Sequence, residues 1–282
     1  IDEIYVYDRA LTADEIYILY GSLTPQPTVS PAPTAHAYQE SLVAYYPISG
    51  QDVNDTYKRL DASGYIGAVK STLRSYVGRD GGDAIQLSGS EHIQLPDKAT
   101  ADISRNGART ICLWAKVDVW NAARLFEYGS PYVTAGDQGL FGLGTTRNMG
   151  QFVVVNDPLF AVNVTIDGCG KGGDCLWEDW HHYCLTYNKY ANQDPTNQGW
   201  RNVTLYVDSA EEATWKAVEL DTGDVYAMRV GADHDGSRRL TGAIDEIYVY
   251  DRALTADEIY ILYGSLTPQP TVSPAPTAHA YQ

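Results

Sequence analysis

The sequence predicts an all-β sandwich, and three observations lead to that prediction. Short segments rich in β-branched and aromatic residues recur roughly every ten to fifteen residues between positions 41 and 264. Clusters of Gly, Asn and Asp separate these segments, and no long helical pattern lies between them. Many short strands without intervening helices are typical of two sheets packed face to face. The predicted strands are 42–46, 84–87, 92–95, 109–117, 123–128, 139–144, 151–155, 160–166, 181–187, 202–207, 226–231 and 242–250.

The last predicted strand belongs to a segment that the chain contains twice. Residues 1–39 and residues 244–282 are identical. An identity of this length indicates a tandem array of repeats. The chain is therefore expected to have four parts: the final strand and helix of a preceding repeat (1–21), a Pro-rich linker (22–40), one domain (41–264) and a Pro-rich linker to the next repeat (265–282).

One short helix is expected directly after the last strand. Thr255 and Glu258 have the spacing of a capping box, and Leu254 and Ile259 can form the hydrophobic staple that accompanies it. The helix should end at Gly264, because glycine is a favoured residue just beyond a helix C-terminus. No other helix is predicted.

The two Pro-rich segments cannot form strands, because proline lacks the amide donor that a sheet requires. They are expected to run as polyproline II spacers. A plain linker is the simpler interpretation. The alternative is an O-glycosylated, hydroxyproline-containing stalk, since Pro alternates there with Ser, Thr and Ala. The candidate modified residues are Thr24, Pro25, Pro27, Thr28, Ser30, Pro31, Pro33, Thr34, Thr267, Pro268, Pro270, Thr271, Ser273, Pro274, Pro276 and Thr277.

The chain has four cysteines: Cys112, Cys169, Cys175 and Cys184. Four cysteines allow three pairings, and the residues alone do not choose among them. Zinc binding is the rival interpretation, but the CxxC spacing of a zinc site is missing. Disulfides are favoured, which predicts an extracellular or cell-surface location.

Charge and sequons agree with that location. The net charge is −16, so phosphates would be repelled, and neither a nucleic-acid partner nor an anionic membrane is expected. The sequence has no apolar run of about eighteen residues, so no membrane insertion is predicted. N-glycosylation sequons begin at Asn54, Asn163 and Asn202, which predicts covalent glycans.

Six short motifs occur in order along the domain: LVAYYP at 42–47, DAIQLSG at 83–89, RTICLWAKV at 109–117, WHHYCLTY at 180–187, NVTLYVD at 202–208 and GAIDEI at 242–247. Together they resemble the laminin G-like and pentraxin group of the concanavalin A-like jelly rolls. The resemblance covers nearly the whole domain. It implies a laminin G-like jelly-roll β-sandwich with one short C-terminal helix, flanked by the Pro-rich linkers.

The resemblance also implies a disulfide pattern. Pentraxins join the strand that matches residues 109–117 to the strand that matches residues 181–187. In this sequence that pairing selects Cys112 with Cys184. Cys169 and Cys175 would then close a small loop of their own.

A structural calcium ion is a further implication. In related jelly rolls an Asp near the start of the last strand often helps to hold calcium, and here that residue is Asp245. Asp61, Asp80 and Asp83 lie in or beside Gly-rich turns and could supply further oxygen ligands. The alternative is a hydrogen-bonded or solvated aspartate. Ser49 stands where the family commonly has an Asp, which departs from its ligand pattern.

The sequence does not predict an enzyme. The same sandwich hosts glycoside hydrolases, which use closely spaced carboxylates. The acidic clusters at 178–179, 208–212 and 245–246 lack that spacing. His181 and His182 are adjacent in a predicted strand, so they should face opposite sides of the sheet, where packing and hydrogen bonding are expected rather than a shared metal.

Two functional hypotheses remain. The first is a structural repeat unit of an extracellular glycosylated fibre or appendage, whose partners are neighbouring copies of itself. The second is a multivalent carbohydrate-binding adhesin or lectin. Its sugar platform would use some of Trp120, Tyr128, Tyr132 and Trp200. The chain has 22 Tyr against 4 Phe, which predicts many half-exposed rings that keep their hydroxyls hydrated.

Overall fold

The computed structural model describes residues 39–48, 74–77, 82–101, 103–130, 139–147, 151–157, 160–165, 179–189, 202–216, 220–223 and 227–266. The first seven strands in these ranges are β1 (Leu42–Tyr46), β2 (Arg74–Val77), β3 (Asp83–Ser88), β4 (Ile93–Gln94), β5 (Arg109–Val117), β6 (Arg124–Gly129) and β7 (Leu140–Thr145). The next seven are β8 (Gln151–Asp157), β9 (Phe160–Thr165), β10 (Trp180–Asn188), β11 (Asn202–Val207), β12 (Ala210–Trp215), β13 (Arg229–Val230) and β14 (Thr241–Tyr250). The helices are a 3-10 turn at Gln39–Ser41, α1 (Lys98–Ala101) and α2 (Ala256–Leu266).

The strands form two antiparallel sheets, as a jelly-roll sandwich requires. The eight-stranded sheet has the order β12-β11-β10-β5-β14-β3-β2, and β1 pairs with β14. The six-stranded sheet has the order β4-β13-β6-β7-β8-β9. A bulge interrupts β14 between Asp245 and Tyr248, and Glu246 within it has a positive φ of 50°. The all-β sandwich predicted from the sequence is confirmed.

One hydrophobic core fills the space between the sheets. In the eight-stranded sheet a cross-strand row of core residues runs through Leu205, Leu185, Ile111, Val249 and Ala44. In the six-stranded sheet the corresponding row runs through Ile93, Val230, Phe126, Leu143 and Val154. Because side chains alternate along a strand, the residues between these rows face away from the core. The two sheets share one core, so their chemistry can differ mainly on their outer faces.

The predicted capping box at the start of α2 is confirmed. The Thr255 amide donates to Glu258 Oε2 at 2.8 Å, and the Glu258 amide donates to Thr255 Oγ1 at 3.3 Å. Leu254 and Ile259 are buried in one cluster, as a hydrophobic staple requires. The predicted helix end is wrong: Gly264 has no left-handed conformation, and the helix continues to Leu266.

Three elements were not predicted. The single turn α1 contradicts the expectation of only one helix, and a four-residue turn is too short to produce a helical period. The strand β12 has the sequence AEEATW and an exposed first half, so it lacks a clear apolar alternation. The strand β2 has only four residues.

The outer face of the eight-stranded sheet is hydrophobic. A cross-strand row runs through Tyr206, Cys184, Cys112, Tyr248 and Tyr45. All five lie in one buried cluster with residues of α2. The Cys112–Cys184 disulfide that the resemblance implied is present within this row. The second predicted pair, Cys169 and Cys175, lies outside the described residues.

The expectation of half-exposed tyrosines is wrong for most tyrosines in the described ranges, although Tyr260 is exposed and Tyr263 is half-buried. Buried tyrosines whose rings pack in the two clusters are Tyr45, Tyr46, Tyr128, Tyr183, Tyr187, Tyr206, Tyr248 and Tyr250. Several hydroxyls are satisfied by charged groups instead of water. Tyr45 and Tyr248 both donate to Glu246 Oε2, at 2.6 and 3.0 Å. Burial, and then the charge of Glu246, raises the pKa of both tyrosines.

Candidate functional site

The outer face of the six-stranded sheet carries a row of polar residues. Gln94 pairs with Arg229, Arg229 with Glu127, and Glu127 with Gly142. Their strand neighbours Ile93, Val230 and Phe126 belong to the core. The polar row therefore faces away from the core. We call this row, together with Arg124 and Gly144 beside it, the polar face.

Two glycines in β7 make room for the charged side chains of β6. A Cβ atom at Gly142 would lie 2.6 Å from the Phe126 backbone oxygen and 3.0 Å from Glu127 Cγ. One at Gly144 would lie 2.4 Å from the Ala123 backbone oxygen and 2.8 Å from Arg124 Cδ. All of these distances are closer than ordinary packing allows. The side chains of Glu127 and Arg124 therefore lie across Gly142 and Gly144, which we call the glycine floor. A larger residue at either position would clash.

Glu127 is held by two basic groups. Arg124 Nε donates to Glu127 Oε2 at 2.8 Å, and Glu127 Oε1 lies 2.7 Å from His234 Nδ1 and accepts the His234 amide at 3.0 Å. The side chains of Arg124 and Glu127 are only 5% and 1% exposed, so the pair is buried and fixed in orientation. A buried pair of this kind can fix the positions of its half-buried neighbours Arg229 and His234, which a ligand could reach.

The turn after β13 places two further carboxyl groups, those of Asp233 and Asp235, near Glu127. Ser237 Oγ donates to Asp233 Oδ2 at 2.8 Å, and the Ser237 amide donates to Asp235 Oδ1 at 2.8 Å. Asp233 is buried whereas Asp235 is exposed. Burial raises the pKa of Asp233, the hydrogen-bond contact with the Asp235 side chain raises it further, and the negative charges of Asp235 and Glu127 add to the shift.

A buried histidine lies beneath the same turn. A Cβ atom at Gly236 would lie 3.7 Å from His92 Cε1, and His92 is 1% exposed. Neither ring nitrogen of His92 has a hydrogen-bond partner among the described residues. Burial, followed by the positive charges of Arg229 and Arg239, lowers the pKa of His92 to about 4. His92 is therefore neutral near pH 7.

The predicted aromatic sugar platform is not found in the described residues. Tyr128, one of its candidates, is fully buried, and its hydroxyl accepts from Arg109 Nη1 at 2.7 Å and donates to the Ile103 carbonyl at 3.1 Å. Trp120 is partly buried with its ring edge against Phe152. The other two candidates, Tyr132 and Trp200, lie outside the described residues. The assignment of Tyr128 to a binding surface is wrong, because an interior arginine satisfies its hydroxyl.

The predicted calcium ligands are not brought together in the described residues. Asp245 is buried and its Oδ1 accepts the Glu246 amide at 2.9 Å, while Asp83 is exposed at the start of β3. Neither belongs to a three-ligand cluster within the described ranges. Asp61 and Asp80 lie outside those ranges. Calcium binding therefore stays a prediction.

The adjacent histidines face opposite sides of the sheet, as expected. His181 Nδ1 lies 2.6 Å from Asp208 Oδ2. His182 is buried, with ring contacts to Trp114 and Tyr263. The two residues serve packing and hydrogen bonding on separate faces.

The modification sites are only partly within the described residues. Asn202 is the first residue of β11 and is half-buried, and Asn163 lies in β9. Asn54 and both Pro-rich segments lie outside the described ranges, so their modification stays a prediction. None of the described helices is long and apolar enough to span a membrane.

Residues 87–260 match the family model of the Concanavalin A-like lectin/glucanases superfamily. The chain belongs to this superfamily. The match covers most of both sheets, including the polar face. Among proteins with curated descriptions, none matches the sequence.

Several solved structures share the fold at low sequence identity. Domain 4 of AbnA, a GH43 extracellular arabinanase from Geobacillus stearothermophilus solved with arabinotriose, has a TM-score of 0.55 at 18% identity, over 79% of this chain and 98% of that domain. The binding domain of Paraclostridial Mosquitocidal Protein 1 has a TM-score of 0.56 at 18% identity, over 80% of this chain. The ligand-binding domain of botulinum neurotoxin serotype D, solved with N-acetylneuraminic acid, has a TM-score of 0.54 at 13% identity, over 82% of this chain. The chain spans 52% of each of the two toxin domains.

Reasoning from sequence missed the residues of the polar face. Arg124 and Glu127 lie in a correctly predicted strand, and His234 follows another. The available signal was the pair of charges in β6, combined with glycines at alternate positions of β7. Their convergence depends on the pairing of β6 with both β7 and β13, which the sequence does not reveal.

Proposed function

We propose that this domain is a carbohydrate-binding module whose binding surface is the polar face. The observation that supports the proposal is the fixed Arg124–Glu127–His234 arrangement over the glycine floor. Guanidinium and carboxylate groups form strong, directed hydrogen bonds, and sugar hydroxyls can both donate and accept them. Superfamily membership supports the same proposal, as do two structural neighbours that were solved with a bound sugar.

Arg229 is the residue best placed to contact a sugar. It lies in the polar row between Gln94 and Glu127 and is half-buried. One of its terminal nitrogens donates to the Asp233 carbonyl at 3.3 Å, whereas its Nε has no acceptor among the described residues. That nitrogen is buried, so a ligand would contact Arg229 through the exposed part of its half-buried side chain.

We propose binding without catalysis. A glycoside hydrolase needs two carboxyl groups that can reach the substrate. Here Glu127 and Asp233 are both buried, and Glu127 is already held by Arg124 and His234. The test is incubation with arabino-oligosaccharides and sialylated glycans: we expect no release of reducing sugar, and release above a heat-inactivated control would contradict this part of the proposal.

A carbohydrate array tests the binding function itself. The full chain should bind a subset of glycans in a saturable manner, and free ligand should compete. Arabinotriose and N-acetylneuraminic acid are the first probes, because the neighbouring structures contain them. If no glycan binds saturably, the proposed function is wrong.

A second candidate function rests on the duplicated segment. Residues 1–39 repeat the sequence of most of β14, of α2 and of the linker that follows. In the second copy, β14 lies between β5 and β3 in the eight-stranded sheet. We propose that such domains are repeated in a secreted or surface-exposed glycoprotein assembly. The disulfide supports the extracellular location, because disulfides persist in oxidising environments. Analytical ultracentrifugation should show concentration-dependent self-association of the full chain that is lost when residues 1–39 are deleted. Equal masses for both proteins would contradict this candidate.

A further inference from the structure

Three metal-binding side chains from two parts of the fold converge beside the polar face. Glu127 comes from β6, and Asp233 and His234 come from the turn after β13. One potential ligand atom from each lies within 4.8 Å of the other two. Two ligands of one ion lie at most about 4.4 Å apart when the bonds are about 2.0–2.2 Å long, so shifts of a few tenths of an ångström would let these atoms share one ion.

Asp233 supplies an independent reason to expect a ligand. It is 4% exposed, and its Oδ1 atom has no hydrogen-bond partner among the described residues. Its other oxygen accepts the Ser237 hydroxyl at 2.8 Å and lies 3.8 Å from Arg238 Nε, on a side chain that is more than half exposed. A buried carboxylate oxygen without a partner is costly unless a cation or proton neutralises it.

None of the described basic side chains near Asp233 donates to its Oδ1 atom. Arg124 already pairs with Glu127, so its charge is balanced. Asp235 adds a second negative charge close to Asp233. Arg229 donates to the Asp233 backbone carbonyl and not to its carboxylate, and Arg238 Nε lies 3.8 Å from Asp233 Oδ2 on an exposed side chain. A divalent ion would balance these carboxylates directly.

We propose that Glu127, Asp233 and His234 bind one divalent transition-metal ion of the zinc or manganese class. Mixed imidazole and carboxylate ligands favour such ions over calcium, which prefers oxygen alone. The ion takes the place of the hydrogen that lies between His234 Nδ1 and Glu127 Oε1, and the imidazole keeps its proton on Nε2. Metal binding then ties the turn after β13 to β6. This claim does not depend on sugar binding.

The chain offers a matched control for the histidine. His181 Nδ1 lies 2.6 Å from Asp208 Oδ2, nearly the same distance as between His234 Nδ1 and Glu127 Oε1. Both histidine side chains are about equally exposed, at 17% and 20%. The His181–Asp208 pair belongs to no three-ligand cluster within the described residues. His181→Ala therefore removes an equivalent histidine–carboxylate contact without removing the proposed metal site.

The experiment titrates the chelator-treated full chain with Zn²⁺ and, separately, Mn²⁺ and Ca²⁺, followed by calorimetry and thermal unfolding. We expect one Zn²⁺ or Mn²⁺ per chain and a rise in Tm with metal. His234→Ala should weaken binding by about tenfold or more, whereas His181→Ala should bind like the parent chain.

A second variant keeps the test interpretable if His234→Ala unfolds. Asp233→Asn removes the unpaired buried charge, so without metal it should be at least as stable as the parent, but metal should no longer raise its Tm. The proposal is overturned if Zn²⁺ and Mn²⁺ leave the parent Tm unchanged or if both histidine variants lose affinity equally. A response to Ca²⁺ alone would contradict the assigned class of ion.

Discussion

The two sheets present outer faces of opposite chemistry, although the same alternation of side chains produces both. On the eight-stranded sheet the row from Tyr206 to Tyr45 is aromatic, contains the disulfide and lies against α2. On the six-stranded sheet the row from Gln94 to Gly142 is polar and contains the Arg124–Glu127 pair beside it. The first face contributes to stability, whereas the second holds fixed charges beside two glycines, where we propose that a ligand binds.

The difference follows from what packs against each face. α2 buries Leu254, Ile259 and Leu262 against the eight-stranded sheet, so apolar residues there gain free energy by leaving water. Buried charges on the polar face gain little net stability, because desolvation offsets their attraction. A well-packed apolar pair would stabilise the sheet at least as well, which agrees with the recognition role that we propose for this face.

The largest expected effect comes from breaking the charged pair on the polar face. Glu127→Leu leaves Arg124 buried without its carboxylate, which should lower the free energy of unfolding by about 3–5 kcal/mol. The double variant Arg124→Met with Glu127→Leu should recover most of that loss, because no unpaired charge remains. Urea unfolding measures both. If the double variant is as unstable as the single one, the pair is structural and the contrast between the faces fails.

Removing the disulfide tests the opposite face. Replacing Cys112 and Cys184 together by Ala should lower the free energy of unfolding by about 2–5 kcal/mol. Glycan binding of the folded variant should stay unchanged, because the bridge lies on the face away from the polar row. If the variant lost glycan binding but kept its stability, the ligand would bind on the face that carries the disulfide, which would contradict the assignment to the polar face.

Acid should weaken the fold through His92. Its pKa falls from 6.5 to about 4 in the folded state, so the unfolded chain takes up a proton more readily than the folded one. The associated stability is present above about pH 6.5 and is lost as the pH falls toward 4, by about 1–3 kcal/mol. The difference in unfolding free energy between the parent and His92→Gln, measured at pH 7 and pH 4, isolates this effect. A difference independent of pH would contradict it.

The smallest expected effect concerns the helix that covers the eight-stranded sheet. Thr255→Ala removes the hydroxyl that accepts the Glu258 amide, which should cost about 1 kcal/mol. Thr255→Ser keeps the hydroxyl and serves as the control. Thermal unfolding should rank the parent and Thr255→Ser close together and Thr255→Ala lower. Equal Tm values for Thr255→Ala and Thr255→Ser would show that the helix cap does not stabilise the helix on this face.

Much of the fold could be predicted because its signals are local. Strand patterns such as 109–117 and the Thr255–Glu258 capping box depend on residues close in sequence. The Cys112–Cys184 pairing followed from family resemblance, and the opposed faces of His181 and His182 followed from alternation within one strand. The strand β12 was missed because its glutamates face solvent at a sheet edge.

The candidate site could not be predicted because it is assembled by pairing between distant strands. Glu127 meets His234 only because β13 lies beside β6. Tyr128 was wrongly placed on a surface because its hydroxyl partner, the buried Arg109, reaches it through the core. In both cases the decisive contact joins charged or polar groups whose partners no local pattern identifies.

Titration of the best-binding glycan against three proteins tests the central claim that the polar face binds carbohydrate. Arg229→Ala changes the polar face, and Lys116→Ala removes a half-buried cation from the outer side of the eight-stranded sheet. The parent and Lys116→Ala should share one dissociation constant, whereas Arg229→Ala should bind at least about tenfold more weakly. Equal affinity of the parent and Arg229→Ala, or a loss confined to Lys116→Ala, would contradict the assignment.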